Sequence, residues 1–256
     1  MNETVLDNLK ALYDDYKSYV LDWPLDKIVS VILRNDKEWY NVNTQEITQL
    51  YGEQSLEEVS LIRDNKEIQA LYARALQLSF DEDVIKERFK KDLKAAFSTI
   101  NEIIERDKIK SPCQIIFLEH DYEPEFFLHG YGAKEDGKDY PILEKPSYFD
   151  YNYNIAVFEA VERIDYSVLI QPIIALEKLI EEINTDDSLI YFMDTKTGKE
   201  PFQELKKLYE LKAYILLHEV FKEIGDELFK HLPVKKPLFI YGNEHDCESM
   251  NIFVYE

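Results

Sequence analysis

The sequence EHDYE at residues 119–123 returns 125 residues later as EHDCE at residues 244–248. Each copy follows a long segment whose apolar residues have helical spacing, and then a basic residue, a proline and a short apolar run. The basic residues and prolines are Lys110 and Pro112 before the first copy, and Lys235 and Pro237 before the second. Because 125 is close to half of the 256 residues, the repeat indicates an internal duplication.

The residues around each repeat predict a β-hairpin. After Pro112 the spacing of apolar residues changes from helical to extended, and residues 113–118 and 125–129 flank a polar stretch that contains Pro124. The end of the chain has the same order of features. We therefore expect antiparallel hairpins at residues 113–131 and 237–255, each after a long helix.

Most of the remaining chain has apolar residues at the three- and four-residue spacing that is typical of amphipathic helices. The predicted helices are one around residues 5–16 that ends at Trp23-Pro24, one around 28–33, one from about Asn65, one from about Asp81, one with Pro172 in its first turn, and one from Pro201 to about Leu232. A further strand is predicted at residues 188–193. The helix after Asp81 has a basic face, which we expect to be solvated and partly neutralised by neighbouring acids.

These elements predict an α+β fold. The chain divides at the polar linker 133–139 into residues 1–132 and 140–256, two halves that are able to pack as one globular unit. An isolated hairpin is only marginally stable, so we expect the two hairpins to join one antiparallel sheet. A doubly wound parallel fold is disfavoured because the strands follow the helices in clusters instead of alternating with them.

Composition limits the partners and the compartment. The chain has 51 acidic and 30 basic residues, and its net charge of −21 is divided almost evenly between the two halves. Such a field repels nucleic acid and anionic membranes and speeds the encounter with a basic protein, although it also serves solubility alone. The two cysteines lie far apart, and the sequence contains neither a secretory leader nor an apolar stretch of the ~18 residues that a membrane span needs. We therefore predict a cytoplasmic protein.

The repeats contain residue types that bind metals. Imidazole and carboxylate side chains suit zinc, manganese or iron, and the candidate ligands are His120, Asp121, His245 and Asp246. Successive side chains of a strand point to opposite faces of the sheet, so His120 would lie on one face and Glu119 and Asp121 on the other. This arrangement disfavours a metal site. The same residues also suit turn caps or contacts with a partner. No nucleotide loop, nucleophile elbow or kinase signature is present, so we predict no catalytic residue and no cofactor, with a metal-dependent hydrolase as the alternative.

The most aromatic stretch of the chain is residues 140–153. Tyrosine combines a large contact area with a hydrogen-bonding tip, and it is enriched in surfaces that bind proteins. The candidate partner-binding residues are Tyr148, Phe149, Asp150, Tyr151 and Tyr153. The alternative is that these aromatic residues cover the core where the two halves meet.

The acidic composition, the α+β pattern and the missing catalytic motifs are similar to those of bacterial immunity proteins, which neutralise toxins. This resemblance is one of composition. It implies a basic toxin as the partner. From sequence, the chain is thus expected to be a non-catalytic binding protein with a basic protein partner.

Overall fold

The computed structural model describes residues 1–21, 64–120, 124–183, 201–244 and 247–256. Within these residues the chain forms five helices and five strands, so the predicted α+β class is confirmed. The helices are α1 (Asn2–Leu21), α2 (Lys66–Leu76), α3 (Glu82–Asp107), α4 (Ser167–Ile183) and α5 (Pro201–Leu228). The strands are β1 (Cys113–His120), β2 (Glu125–Gly132), β3 (Ala156–Asp165), β4 (Val234–Glu244) and β5 (Met250–Tyr255). The predicted break at Trp23-Pro24, the helix around 28–33 and the strand at 188–193 lie outside the described residues.

The chain divides into two compact units. The first contains Met1–Tyr13, Asp81–Leu169 and Glu210–Glu256, and therefore the whole sheet. Of the described residues, the second contains 14–21, 64–80, 170–183 and 201–209. The linker predicted at residues 133–139 lies inside a segment of the first unit, and the division into halves 1–132 and 140–256 stays a prediction.

In the second unit, helix α2 begins where the sequence predicts. The Asn65 side chain accepts hydrogen bonds from the backbone N–H groups of Glu67 and Ile68, which otherwise lack partners in the first turn. One face of α2 is buried and contains Ile68, Tyr72 and Ala75. At its other end the Tyr209 hydroxyl donates a 2.8 Å hydrogen bond to the carbonyl oxygen of Ala75. Helix α2 thus has an apolar buried face and a polar cap at each end.

The first unit is built on a mixed sheet with the strand order β3-β2-β1-β4-β5. Strand β1 pairs with β2, and β4 with β5, in antiparallel register, so both predicted hairpins are present. The central pair, β1 with β4, is parallel. The expectation of a wholly antiparallel sheet is therefore wrong.

The direction of helices α3 and α5 explains the parallel pair. Three lysines spaced four residues apart on α3 meet three glutamates spaced four residues apart on α5, in the same order along both helices. The pairs are Lys86 with Glu219 at 3.3 Å, Lys90 with Glu223 at 2.6 Å and Lys94 with Glu227 at 2.9 Å. The two helices therefore run side by side in the same direction. Each enters its strand after a short connection that reverses the chain, so the two strands also run in the same direction.

These ion pairs also decide how the basic face of α3 is used. The sequence predicts a solvated face that neighbouring acids neutralise, and part of this neutralisation is local, with Lys86 lying 3.5 Å from Asp83. The remaining part includes three pairs with α5, which is more than a hundred residues away in the sequence. The face is thus a helix–helix seam.

Burial on both faces distinguishes the central strands. Every residue of β1 is buried except Glu119, and residues 238–242 of β4 are buried without interruption. On the side that faces the helices, the ring of Tyr214 from α5 lies directly over Gly242 of β4. Only a residue without a side chain leaves room for this approach.

Strand β3 is not predicted from the sequence. Its buried residues are Val157, Phe158, Val161 and Ile164, a spacing that fits a helix as well as a strand. The pairing of β3 with β2 contains three register shifts, and Ala160 has φ = 49°. Each bulge inserts a residue and reverses the in-out alternation, which hides the two-residue period.

Helix α4 begins earlier than the sequence predicts. Pro172 lies inside the helix, in its second turn, because α4 starts at Ser167. The backbone N–H of Ser167 donates a 2.6 Å hydrogen bond to the side chain of Asp165, which satisfies a free donor at the helix start. Among the described helices, none is both long and apolar enough to cross a membrane.

We expect Gly242→Ala to lower the free energy of unfolding by about 1–3 kcal/mol, because the added Cβ overlaps the Tyr214 ring and Ile252. Gly225→Ala is the matched control. Gly225 lies in α5, where a Cβ would meet the Phe229 ring at 3.3 Å and where alanine is favoured over glycine by about 1 kcal/mol. Urea unfolding followed by circular dichroism measures both variants. Equal midpoints for the two would contradict the close packing of Tyr214 on β4.

A second prediction concerns pH and His218, which lies in α5. Burial lowers the pKa of His218 below its ordinary value of 6.5, and its Nδ1 atom lies 2.7 Å from the carbonyl oxygen of Ile252. The unfolded chain therefore binds a proton near pH 6.5 that the native chain binds only at lower pH, so the free energy of unfolding falls as the pH drops below about 6.5. Above about pH 6.5 the contribution of His218 to the free energy of unfolding is fully present. Urea unfolding between pH 5 and 7 should show a shallower pH dependence for His218→Gln than for wild type, and equal slopes would refute the prediction.

Candidate functional site

Residues 133–155 lie against the sheet on the side away from α3 and α5, and several hydrogen bonds hold them there. The Tyr241 hydroxyl donates to the carbonyl oxygen of Pro141 at 2.6 Å, and the backbone N–H of Leu143 donates to the Asn251 side chain at 2.6 Å. Ser147 and Ser249 exchange two backbone hydrogen bonds of 3.0 and 3.1 Å. The segment that contains the predicted partner-binding residues is therefore fixed to strands β4 and β5.

Two of these residues anchor the segment on the sheet. The ring of Phe149 lies 4.6 Å from that of Tyr241, measured between centroids, and stacks on Phe117 at 6.0 Å. The ring of Tyr151 lies 4.9 Å from Phe117 and 5.1 Å from Tyr131. Both side chains thus pack on the aromatic residues of β1, β2 and β4.

The other predicted residues point into solvent. Tyr148 is 71% exposed, Tyr153 is 67% exposed, and Asp150 is exposed between them. The ring of Tyr153 keeps an edge contact of 6.4 Å with Tyr151, which is itself 36% exposed. Monomeric proteins seldom present several large aromatic residues in one exposed patch unless the patch binds something. The segment therefore combines a rigid base with an exposed aromatic rim.

A buried polar cluster closes the other side of the sheet at the end of β1. His120 is buried, and its Nε2 atom lies 3.0 Å from Oε1 of Glu210 on α5. The Tyr214 hydroxyl donates to the same carboxylate oxygen of Glu210. The rings of Phe126 and Tyr166 pack against the imidazole at 5.7 and 6.2 Å. The cluster therefore connects α5, at Glu210, with the end of β1, at His120.

The two tyrosines of this cluster stay protonated at all ordinary pH values. Burial raises the pKa of Tyr214 well above 10, and the negative charge of Glu210 raises it further. Burial also raises the pKa of Tyr166, with smaller contributions from Glu210 and Glu244. A protonated Tyr214 is therefore available as a permanent donor to Glu210. Polar contacts between buried groups favour one relative position of the elements that they join.

The candidate metal ligands divide between described and undescribed residues. Asp121, His245 and Asp246 lie outside the described ranges, so of the four only His120 can be placed. The parallel register sets His120 opposite Glu244 and Glu119 opposite Asn243, so the two strands end at the same edge of the sheet. Within the described ranges, no group of three or more His, Cys, Asp or Glu side chains is placed to hold a metal ion.

Sequence reasoning misses the partners of His120. Glu210 and Tyr214 are four residues apart on one helix face, and this spacing is visible in the sequence. Nothing in the sequence connects them with a histidine 90 positions earlier, because only the packing of α5 on the sheet brings them together. Reasoning from sequence also misses the half-exposed face of β2, where Phe127, His129 and Tyr131 alternate with buried residues.

We predict no stoichiometric transition metal, because strand alternation separates Glu119 from His120 and because the His120 imidazole lies beside Glu210. The measurement is elemental analysis of protein purified without chelator. About one zinc, manganese or iron per chain, lost in a His120→Ala and His245→Ala double variant, would overturn this prediction. His218→Ala serves as the control for a buried histidine outside the repeats.

In comparisons with known proteins, no protein-family model, no curated protein and no solved structure matches the chain.

Proposed function

We propose that this chain is a non-catalytic binding protein that engages a basic protein partner through an acidic, tyrosine-rich surface. The observation that carries the proposal is the exposure of Tyr148 and Tyr153, at 71% and 67%, on a segment that hydrogen bonds hold against the sheet. A large aromatic side chain that is already fixed in place loses little conformational entropy when a partner covers it. Interfaces concentrate their binding energy in such residues.

Charge supplies the second part of the proposal. The net charge of −21 attracts a basic protein and speeds its encounter, and Asp150 lies within the aromatic rim itself. An inhibitor of a basic, nuclease-like toxin would use a surface of this kind, so we include a bacterial immunity protein in the proposal. The same field disfavours nucleic acid and anionic membranes as partners.

We also propose a cytoplasmic location. Among the described residues neither Cys113, which is buried, nor Cys247, which is exposed, forms a disulfide bond. Burial raises the pKa of the Cys113 thiol to about 12, so this residue stays reduced and unreactive inside the sheet. A reducing compartment suits a fold whose exposed cysteine is not in a disulfide.

We propose further that an internal duplication produced helix α3 with β1 and helix α5 with β4. Residues 108–112 and 229–233 form connections of equal length, and both pairs run in the same directions. The second strands of the two hairpins are not equivalent. Strand β2 lies next to β1 on one side of the central pair, and β5 lies next to β4 on the other side. The proposed repeat is therefore the helix and its first strand. An experimental structure in which residues 96–120 do not superpose on the corresponding part of α5 and β4 would refute it.

The binding proposal is tested by kinetics with a purified partner. Basic proteins that bind the immobilised chain at low salt, including those encoded next to its gene, are purified and measured by biolayer interferometry. We expect the association rate to fall steeply with added salt and the dissociation rate to change less. We expect a Tyr148→Ala and Tyr153→Ala double variant to dissociate about ten-fold faster or more.

Controls separate binding from folding. Val84→Ala, at an exposed residue of α3, should leave dissociation unchanged. Tyr148→Ala should change the free energy of unfolding by less than about 0.5 kcal/mol, whereas Tyr151→Ala should lower it by about 1–2 kcal/mol because Tyr151 packs on Phe117. The proposal would be contradicted if the partner left the double variant at the wild-type rate. It would also be contradicted if the association rate did not depend on the salt concentration.

The metal-dependent hydrolase remains the alternative. No observation among the described residues favours it over binding. The metal analysis described above tests it directly.

A further inference from the structure

The face of β2 that points away from the helices contains aromatic residues outside the proposed Tyr148 and Tyr153 binding surface. Its even-numbered residues Phe126, Leu128 and Gly130 are buried, and its odd-numbered residues Phe127, His129 and Tyr131 are half-buried. The half-buried residues share the side of the sheet on which Phe149 and Tyr151 lie, because the Tyr131 ring contacts both Phe117 and Tyr151. This face therefore continues the aromatic rim from the segment onto the sheet.

Carboxylates border this face on both neighbouring strands. The register of β1 with β2 sets Glu119 opposite Phe127, and Glu119 is the one residue of β1 that is not buried. On β3, Glu159 follows Phe158, whose ring covers Gly130 on the opposite side of the sheet, so Glu159 points to the same side as Tyr131. We call Glu119, Phe127, His129, Tyr131 and Glu159 the acceptor face.

The electrostatics of Tyr131 agree with this placement. Burial raises the pKa of Tyr131 to about 12, and the nearby Tyr151, Glu159 and Glu119 raise it in the same direction. The negative potential of both carboxylates is thus felt at the Tyr131 phenol. An anionic ligand is disfavoured here, and a cation is favoured.

Aromatic rings bordered by carboxylates bind organic cations. A cation above a tyrosine face gains about 0.5–2 kcal/mol, and a guanidinium also stacks flat on the ring and binds a carboxylate through two parallel N–H groups. This aromatic cluster already has one cation of its own, because Nζ of Lys134 lies 5.0 Å from the ring centroid of Tyr140. Tyr140 in turn contacts Phe149.

We propose that the acceptor face binds an arginine side chain of the basic partner, with the guanidinium on the Tyr131 and Tyr151 rings and its N–H groups toward Glu119 and Glu159. This inference rests on the proposed function and names the chemistry that it recognises. Tyr148 and Tyr153 then contact the partner's surface next to this arginine. The acceptor face supplies selectivity for arginine over lysine, since the compact, strongly hydrated ammonium neither stacks nor bonds in a fork.

The test uses peptides and does not need the natural partner. A capped hexa-arginine peptide and a capped hexa-lysine peptide are titrated into the ¹⁵N-labelled full chain at low salt, and backbone amide shifts are followed by NMR. We expect shifts of residues 127–131 and 151 with the arginine peptide, and at least a three-fold weaker affinity for the lysine peptide. A Glu119→Gln and Glu159→Gln double variant should bind the arginine peptide about five-fold to ten-fold more weakly.

The matched control changes the same amount of charge elsewhere. Glu3→Gln with Asp7→Asn, at two exposed residues of α1, alters the net charge equally and should reduce the affinity less than two-fold. Tyr148→Ala should also retain peptide binding. An equal loss in the α1 variant would show general attraction to an acidic protein, and equal binding of the two peptides would show no arginine selectivity. Either result overturns the inference.

The two proposals fail in different ways. If the Tyr148 and Tyr153 variants release the natural partner faster but the acceptor-face variants bind arginine peptide like wild type, only the arginine site is wrong. If the arginine peptide binds at the acceptor face but the Tyr148 and Tyr153 variants release a natural partner at the wild-type rate, only the proposed role of the aromatic rim is wrong. Melting temperatures of all variants within about 3 °C of wild type exclude misfolding as the cause.

Discussion

The parallel pairing of β1 with β4 is the constraint on which the rest of the first unit depends. Parallel strands cannot be joined by a tight turn, so a long crossover must separate them in the sequence. Here 113 residues lie between the end of β1 at His120 and the start of β4 at Val234. The ion-paired seam of α3 and α5 aligns the helices that lead into both strands. The contacts of Glu210 with His120 and of Tyr214 with Gly242 support the same register from the helix layer.

The same pairing makes the two sides of the sheet different. On the helix side, rings from α5 and β3 fill the space over Gly242 and Gly130, and the His120 cluster seals the end of β1. On the other side, within the described part of the chain, residues 133–155 cover the sheet without regular structure, and they leave alternate residues of β2 half-exposed. A tightly packed layer behind a partly open aromatic face gives a rigid platform. Binding residues are commonly placed on such loops above a rigid scaffold.

Sequence reasoning finds what is periodic and local. The hairpins and the Asn65 and Asp81 helix starts follow from spacing, turn residues and caps, and the described residues agree with them. It misses β3, whose bulges give its buried residues a helical spacing. It misplaces Pro172, because a proline is favoured in the first turn of a helix, whereas the Asp165 side chain caps this helix at Ser167 and so begins it earlier. The parallel direction of the central pair and the partners of His120 depend on contacts between distant segments, which no local pattern encodes.

The distribution of charge connects the fold with the proposed function. A net charge of −21 describes the whole chain, but three glutamates of α5 and three lysines of α3 neutralise one another along the seam. The field that a partner meets therefore comes from the remaining surface. Residues 133–159, which cover and border the open face, contain six acidic and three basic side chains around an aromatic rim. The helix side of the first unit thus uses its charges for packing, and the open side keeps an acidic surplus next to exposed tyrosines. In the proposed function, this surplus would act on the final approach of a basic partner and not only on its distant encounter.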